Sequence, residues 1–346
     1  MKVFYGVQGT GNGHITRARV MSKALAEAGV EVKFQFTGRP AEHYFDMEVF
    51  NDYDVRTGLT FNTHRGQVNY LKTVWESRPI TFIQDVKSLD LSDYDLVITD
   101  FEPVTAWAAK RQKKKVLGIG HQYAFQHQIP RDGSDPLAST VMKYFAPADL
   151  GIGLHWHHFD QPILPPIIAT PSLPQRFFKH KVLVYLPFED TTEVFELLSP
   201  YTTHEFYVYT PNPKPSEHVH ILCKPLSRDG FQQDLYDCSG IISNAGFELA
   251  SEALHLGKKI LVKPLGQQME QISNARALKN LGYGHVMQAL NGQAIETWLE
   301  DNRAIQIAYP HVASILTQWL LDGMPALDKS FFSHVWRDVA VNEVRQ

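Results

Sequence analysis

Cysteine is scarce: this chain of 346 residues has two, Cys223 and Cys238. Two thiols cannot build a disulfide framework, and they suit a reducing compartment. Long apolar runs are missing as well, since none approaches the roughly 18 residues that a membrane-crossing helix needs. Met1 leads straight into a strand-like segment, no export signal is visible, and the expected location is the cytoplasm. Neither sign of charge dominates, and a net charge of -4 argues against nucleic acid as the main partner. The basic run Lys110, Arg111, Lys113, Lys114 and Lys115 then reads as the solvated end of a helix. Low-complexity tracts and short repeats are absent too. What remains is ordinary for a globular protein, 44% hydrophobic and 20% charged, with length for about two domains of roughly 150 residues.

Apolar strand-like runs alternate with helical periodicity, the pattern of a parallel sheet covered on both faces. Strands are expected near Lys2-Val7, Val32-Phe36, Leu96-Thr99, Val116-Ile119 and Leu150-Leu154, with helices near His14-Ala28, Asn69-Leu89 and Glu102-Arg111. The prolines Pro162, Pro165, Pro166, Pro171 and Pro174 suit neither element and mark a linker. A second unit follows, with strands near Val182-Leu186, Glu205-Tyr209, Val219-Cys223, Gly240-Ser243, Lys259-Val262 and His285-Met287, and helices near Gly246-His255 and Met269-Asn280. The fold class is therefore α/β, two doubly wound Rossmann-like domains facing each other across a cleft. The last segment, Ser330 to Val344, alternates too irregularly to place.

Three segments fall at the carboxyl ends of these strands. The first is Gly9-Thr10-Gly11-Asn12-Gly13-His14, where a glycine-rich turn opens a helix whose N-terminus favours a diphosphate or an oxyanion. Its glycines are spaced two apart, Glu31 opens the second strand rather than ending it, and the dinucleotide fingerprint is thereby lacking. His14 adds a titratable side chain at the crevice. The second segment is Ser243-Asn244-Ala245-Gly246-Phe247, a small-residue turn before a helix that carries Glu248 and Glu252 on one face. Taken alone, those glutamates read as solvated. The third is Glu270-Gln271-Ile272-Ser273-Asn274, amides and a carboxylate at a helix start, which suit sugar hydroxyls or serve as caps.

Asp100 ends a strand, where it either orients His14 or caps the helix that begins at Pro103. His121 and Gln122 end another strand at the same edge and are candidates for an acceptor pocket. Asp52-Tyr53-Asp54 and Asp93-Tyr94-Asp95 have a metal-motif spacing but read as turns, and His155, His157 and His158 read as boundary residues rather than ligands. No metal and no cofactor is expected.

Together the three segments resemble the GT-B glycosyltransferases, most of all families 1 and 28, which include the UDP-glycosyltransferases and the cell-wall lipid N-acetylglucosaminyltransferase. The resemblance implies an inverting, metal-independent transfer of a sugar from a nucleotide diphosphate, UDP-linked, to a hydroxyl acceptor. It implies His14 as the base, with Asp100 behind it. Gly11, Gly13, Ser243, Asn244, Gly246 and Phe247 would meet the donor, Glu252 rather than Glu248 the ribose, and Glu270 with Gln271 the transferred sugar. It divides the chain into an acceptor-side domain over 1-165, a donor domain over 178-325, and a segment 328-346 that returns to the first. Two other readings share this architecture, a nucleotide-sugar 2-epimerase and a non-catalytic nucleotide-binding protein. The loop Pro187-Phe188-Glu189-Asp190 departs from the pattern by placing two carboxylates near a diphosphate. The acceptor has no readable code. A lipid or a glycan is admissible, and aromatic residues such as Phe61, Tyr70, Trp75 and Phe125 are compatible with peripheral contact at the inner face of a membrane.

Overall fold

Seven residues from Lys2 to Gln8 (β1) are apolar almost without interruption and nearly all buried, as expected of a parallel strand covered on both faces. The computed structural model describes residues 1–59, 63–64, 67–68, 79–131, 140, 143–171 and 176–346. After β1 come α1 (Asn12–Glu27), β2 (Glu31–Thr37), β3 (Tyr53–Arg56), α2 (Pro79–Ser88), β4 (Leu96–Asp100) and α3 (Pro103–Arg111). β5 (Val116–Gly120), α4 (His121–Ala124), β6 (Leu150–Leu154) and β7 (Ile163–Leu164) complete the first lobe. Its strands run parallel in the order β3-β2-β1-β4-β5-β6-β7.

The second lobe holds β8 (Phe178–Tyr185), α5 (Thr191–Leu198), β9 (Glu205–Thr210), β10 (Ile221–Pro225), α6 (Arg228–Asp237), β11 (Cys238–Asn244) and α7 (Phe247–His255). β12 (Lys259–Lys263), α8 (Met269–Leu281), β13 (His285–Val286) and α9 (Gly292–Glu300) follow. The six strands are again parallel, ordered β10-β9-β8-β11-β12-β13. In each sheet the order reverses at the first strand of the lobe, which opens a crevice beyond the ends of β1 and β4 and of β8 and β11. Register fixes what lies there: Val7 pairs with Asp100, and Tyr185 with Ser243.

Two stretches differ from the sequence expectation. Ile163–Leu164, inside the proline-rich segment, is a buried edge strand paired with Gly153 and Leu154. Pro162 and Pro165 flank it without interrupting its ladder, which an edge strand tolerates. The linker therefore begins after Leu164, and Pro174 lies outside the described residues. The C-terminal tail divides. α10 (Val312–Leu321) follows β14 (Arg303–Ala308) and packs on α1. α11 (Lys329–Arg337) packs on β7, where the Trp336 indole donates to the Ile163 carbonyl at 2.7 Å. β15 (Ala340–Arg345) then leaves the first lobe and pairs antiparallel with β14, beside α7.

The lobes share one apolar core. Val3, Ile15 and Trp156 from the first belong to the same buried cluster as Ile241, Phe247 and Leu254 from the second. The Trp156 indole donates to Ser251 Oγ at 2.8 Å across the boundary.

Candidate active site in the cleft

Two helices that line the cleft begin without a side-chain cap, in contrast to several others of the chain. Glu102, Asp190, Ser227, Asn291 and Asp328 each cap a helix with a side-chain oxygen. α1 starts at Gly11 and α7 at Gly246, and neither has a side-chain cap, so their first N–H groups are left for a ligand. Gly13 brings the two starts together: a Cβ there would lie 2.9 Å from Glu248 Cγ.

Beside this junction, His14 Nδ1 lies 2.7 Å from Asp100 Oδ1. Ionised Asp100 can only accept, so Nδ1 carries the proton and Nε2 keeps a lone pair. Arg17, buried one turn along α1, donates to Asp100 through Nε at 2.8 Å and Nη2 at 2.5 Å, and its Nη1 donates to Glu248 Oε1 of the other lobe. Burial pushes the Asp100 carboxyl upward, but Arg17 and His14 outweigh it and hold it below the usual range. Asp100 is thus free of capping. Glu102 takes that task, accepting from Val104 and Thr105 N–H at 2.7 Å each.

A cavity of about 540 Å³ runs along α1 and is walled by Asn12, Arg19, Tyr185, Arg228, Glu248 and Glu252. That volume suits a nucleotide-sized ligand. Neither glutamate lies on an open surface, contrary to the sequence expectation, because α7 packs against α1: Glu248 is buried and Glu252 is half-buried at the cavity wall. Burial raises Glu252 to about 7 against the pull of Arg228 and Arg19, and raises Glu248 to about 8 against that of Arg17. Ser243 Oγ is buried with no partner among the described residues. Asn244 donates to the Lys263 carbonyl at 3.1 Å and sits 3.4 Å from Glu189.

Residues 1–302 match the family described as Glycosyl transferase family 1. The chain belongs to that family. Among curated proteins nothing matches it significantly. Solved structures of similar fold include the glycosyltransferase SnogD from Streptomyces nogalater, with TM-score 0.53 and 15% identity over 98% of this chain and 99% of that one. The spinosyn rhamnosyltransferase SpnG has TM-score 0.55 and 15% identity, covering 94% and 97%. MurG of Acinetobacter baumannii has TM-score 0.50 and 14% identity, covering 96% and 93%. The protein is a glycosyltransferase of GT-B architecture, and its family implies a nucleotide-sugar donor and an acceptor.

Several expected site residues of this transferase are committed elsewhere. His121 does not face open space: its Nδ1 lies 2.8 Å from the Leu154 carbonyl, its Nε2 lies 2.7 Å from Asn274 Oδ1, and its ring stacks on Phe247 at 4.0 Å. Burial lowers its pKa, with Glu270 opposing. Gln122 donates to both oxygens of Glu270 at 3.1 Å, a contact between the two lobes. Gln271 is buried and accepts from the Leu265 N–H at 3.0 Å, a loop contact. In the loop Pro187-Phe188-Glu189-Asp190, Glu189 pairs with Lys263 at 2.7 Å and Asp190 caps α5. Lys33 pairs with both Asp52 and Asp54, and Asp95 accepts from the Lys2 N–H. His155 is buried and its Nδ1 accepts from the Trp156 N–H. No group of three His, Cys, Asp or Glu side chains is placed to hold a metal among the described residues. Phe61, Tyr70 and Trp75 lie outside the described residues, and Phe125 is buried in the core. Among the described residues no helix is long and apolar enough to cross a membrane. Arg17 is the member of the cluster that the sequence reading missed.

Proposed function

We propose that the transferase moves a sugar from a UDP-linked donor to an acceptor hydroxyl, with inversion and without a metal ion. The contact between His14 Nδ1 and Asp100 Oδ1, 2.7 Å at the crevice of the first sheet, carries this reading. His14 Nε2 takes the hydroxyl proton while the acceptor oxygen bonds to the anomeric carbon from the face opposite the diphosphate. The carbon–oxygen bond to the diphosphate breaks, and the electron pair leaves with the phosphate oxygen. Attack opposite the leaving group inverts the centre. Asp100 steadies the imidazolium, and the uncapped starts of α1 and α7 take up the charge gathering on the diphosphate in place of a cation. Residues 1-165 serve the acceptor side and 178-325 the donor, with Glu252 on the ribose.

Transfer and slow donor hydrolysis with UDP-sugars test the reading. His14→Ala is expected to lower turnover by about 10² to 10⁴-fold while sparing UDP affinity, and Asp100→Asn to cost less. Chelator should leave the rate unchanged. Full turnover in His14→Ala removes His14 as the base, and loss with EDTA that manganese restores removes metal independence.

A further inference from the structure

Glu248 has no task in this scheme, yet it is buried at the wall of the cleft. It is the second residue of α7, directly behind the uncapped turn at Gly246, and it is 7% exposed. Oε1 accepts from Arg17 Nη1. Oε2 is buried with no hydrogen-bond partner among the described residues, and the side chain lines the cavity. We infer that Glu248 is kept as the uncharged acid and that its Oε2–H donates a hydrogen bond to the diphosphate of the donor. The inference rests on the proposed nucleotide-diphosphate donor.

Charge balance leads to the same state. The groups that face Glu248 are Arg17 on α1, Asp100 on β4, Glu252 one turn along α7, and the Tyr5 hydroxyl on β1. Arg17 is the cation that touches it, and two of the three donating nitrogens of that guanidinium are spent on Asp100. With Asp100 and Arg17 cancelling, an ionised Glu248 would leave a buried negative charge. The neutral acid leaves none. Burial raises Glu248 to about 8, against Arg17, with Asp100 and Glu252 adding to the rise. A carboxylate at this turn would repel a diphosphate, whereas a carboxylic acid supplies the O–H that an anion needs. No proton changes owner in this contact. Its Arg17 bond explains the burial but not the orphaned Oε2, which a purely structural glutamate would be expected to satisfy.

Two measurements on the full chain decide it. In infrared difference spectra at pH 6.5, Glu248→Gln should lose a protonated-carboxyl stretch that the parent protein shows, whether or not ligand is present. In calorimetric titrations with UDP-glucose, whose diphosphate does not titrate in this range, affinity of the parent should fall by up to about tenfold between pH 7 and 9. Glu248→Gln, whose amide always offers a donor, should change by less than about threefold. A missing band, or an equal alkaline loss in both proteins, overturns the inference alone. Absence of UDP-glucose binding at every pH with the band present overturns the donor reading instead, and with it the role of the acid. If Glu248→Gln folds poorly, Glu252→Gln removes the neighbouring glutamate's contribution, and the parent's protonated-carboxyl signal must still contain a component that fades as the pH rises through about 8.

Discussion

Glu252 borders the cavity one turn beyond Glu248, and the cations that draw on its charge are Arg228 and Arg19 rather than Arg17. That arrangement leaves its carboxyl available to a ligand's hydroxyls. Glu252→Ala should therefore weaken UDP binding by about 1.5 to 3 kcal/mol, the range for a hydrogen bond to a charged group. Calorimetry showing unchanged affinity would move the ribose elsewhere in the cleft. At this scale the sequence spoke unevenly. His14 and Asp100 were legible because each follows or ends a strand at the same edge, and strand ends converge in a doubly wound sheet. Arg17 and Glu248 were not, since their bond joins residues 231 apart and nothing in either local pattern separates them from surface charges. His121 misled for the converse reason: its strand-end position is right, but the second lobe covers it with Phe247 and Asn274.

Among the elements, the central strands of both sheets are legible nearly to the residue, because buried parallel strands are short apolar runs, whereas the edge strands β3, β7, β14 and β15 are not, and Tyr53 and Asp54, expected in a turn, lie in β3. The helices α5, α6, α9, α10 and α11 are not legible either, as amphipathic segments between strands share their composition with loops. The glycine turn before α1 was recognised as a ligand loop, but its tightest requirement concerns packing. Gly13 sits against the start of α7, where a Cβ would meet Glu248 Cγ at 2.9 Å, whereas Gly11 has a φ of -116° and, among the described residues, no atom within 4 Å of a Cβ. Gly13→Ala is expected to cost about 1 to 3 kcal/mol of stability by forcing α1 and α7 apart. Gly11→Ala should cost less than about 1 kcal/mol, the loss of a glycine cap. Denaturant titration ranks the two, and a larger loss at Gly11 would mean that the helices do not meet as closely as described.

The molecule as a whole folds around buried groups that titrate in opposite senses, and its stability should depend on pH accordingly. Glu248 and Glu252 stand at about 8 and about 7 in the folded chain against an ordinary 4.5. Between those limits the folded state binds more protons than the unfolded one, so their contribution is complete below 4.5 and is lost as the pH rises toward about 8. Burial depresses His121 and His155 below their ordinary 6.5, with the opposite result: as the pH falls through 6.5 the unfolded chain takes up protons that the fold refuses. Asp100, held below 3.8, adds stability that is lost only in stronger acid. Above 6.5 the histidines no longer contribute, and the two glutamates set the slope. Between 4.5 and 6.5 the glutamates and the histidines oppose one another, so the melting temperature should change little there and then decline from about 6.5 toward pH 8, by roughly 2 °C for each kcal/mol in a chain of this size. Glu248→Gln combined with Glu252→Gln should flatten the alkaline decline and, by removing the slope that opposes the histidines, uncover a rise in stability from acid pH up to about 6.5. Calorimetric melts across this range check the shape. A decline of unchanged steepness in the double variant would place the alkaline sensitivity outside α7.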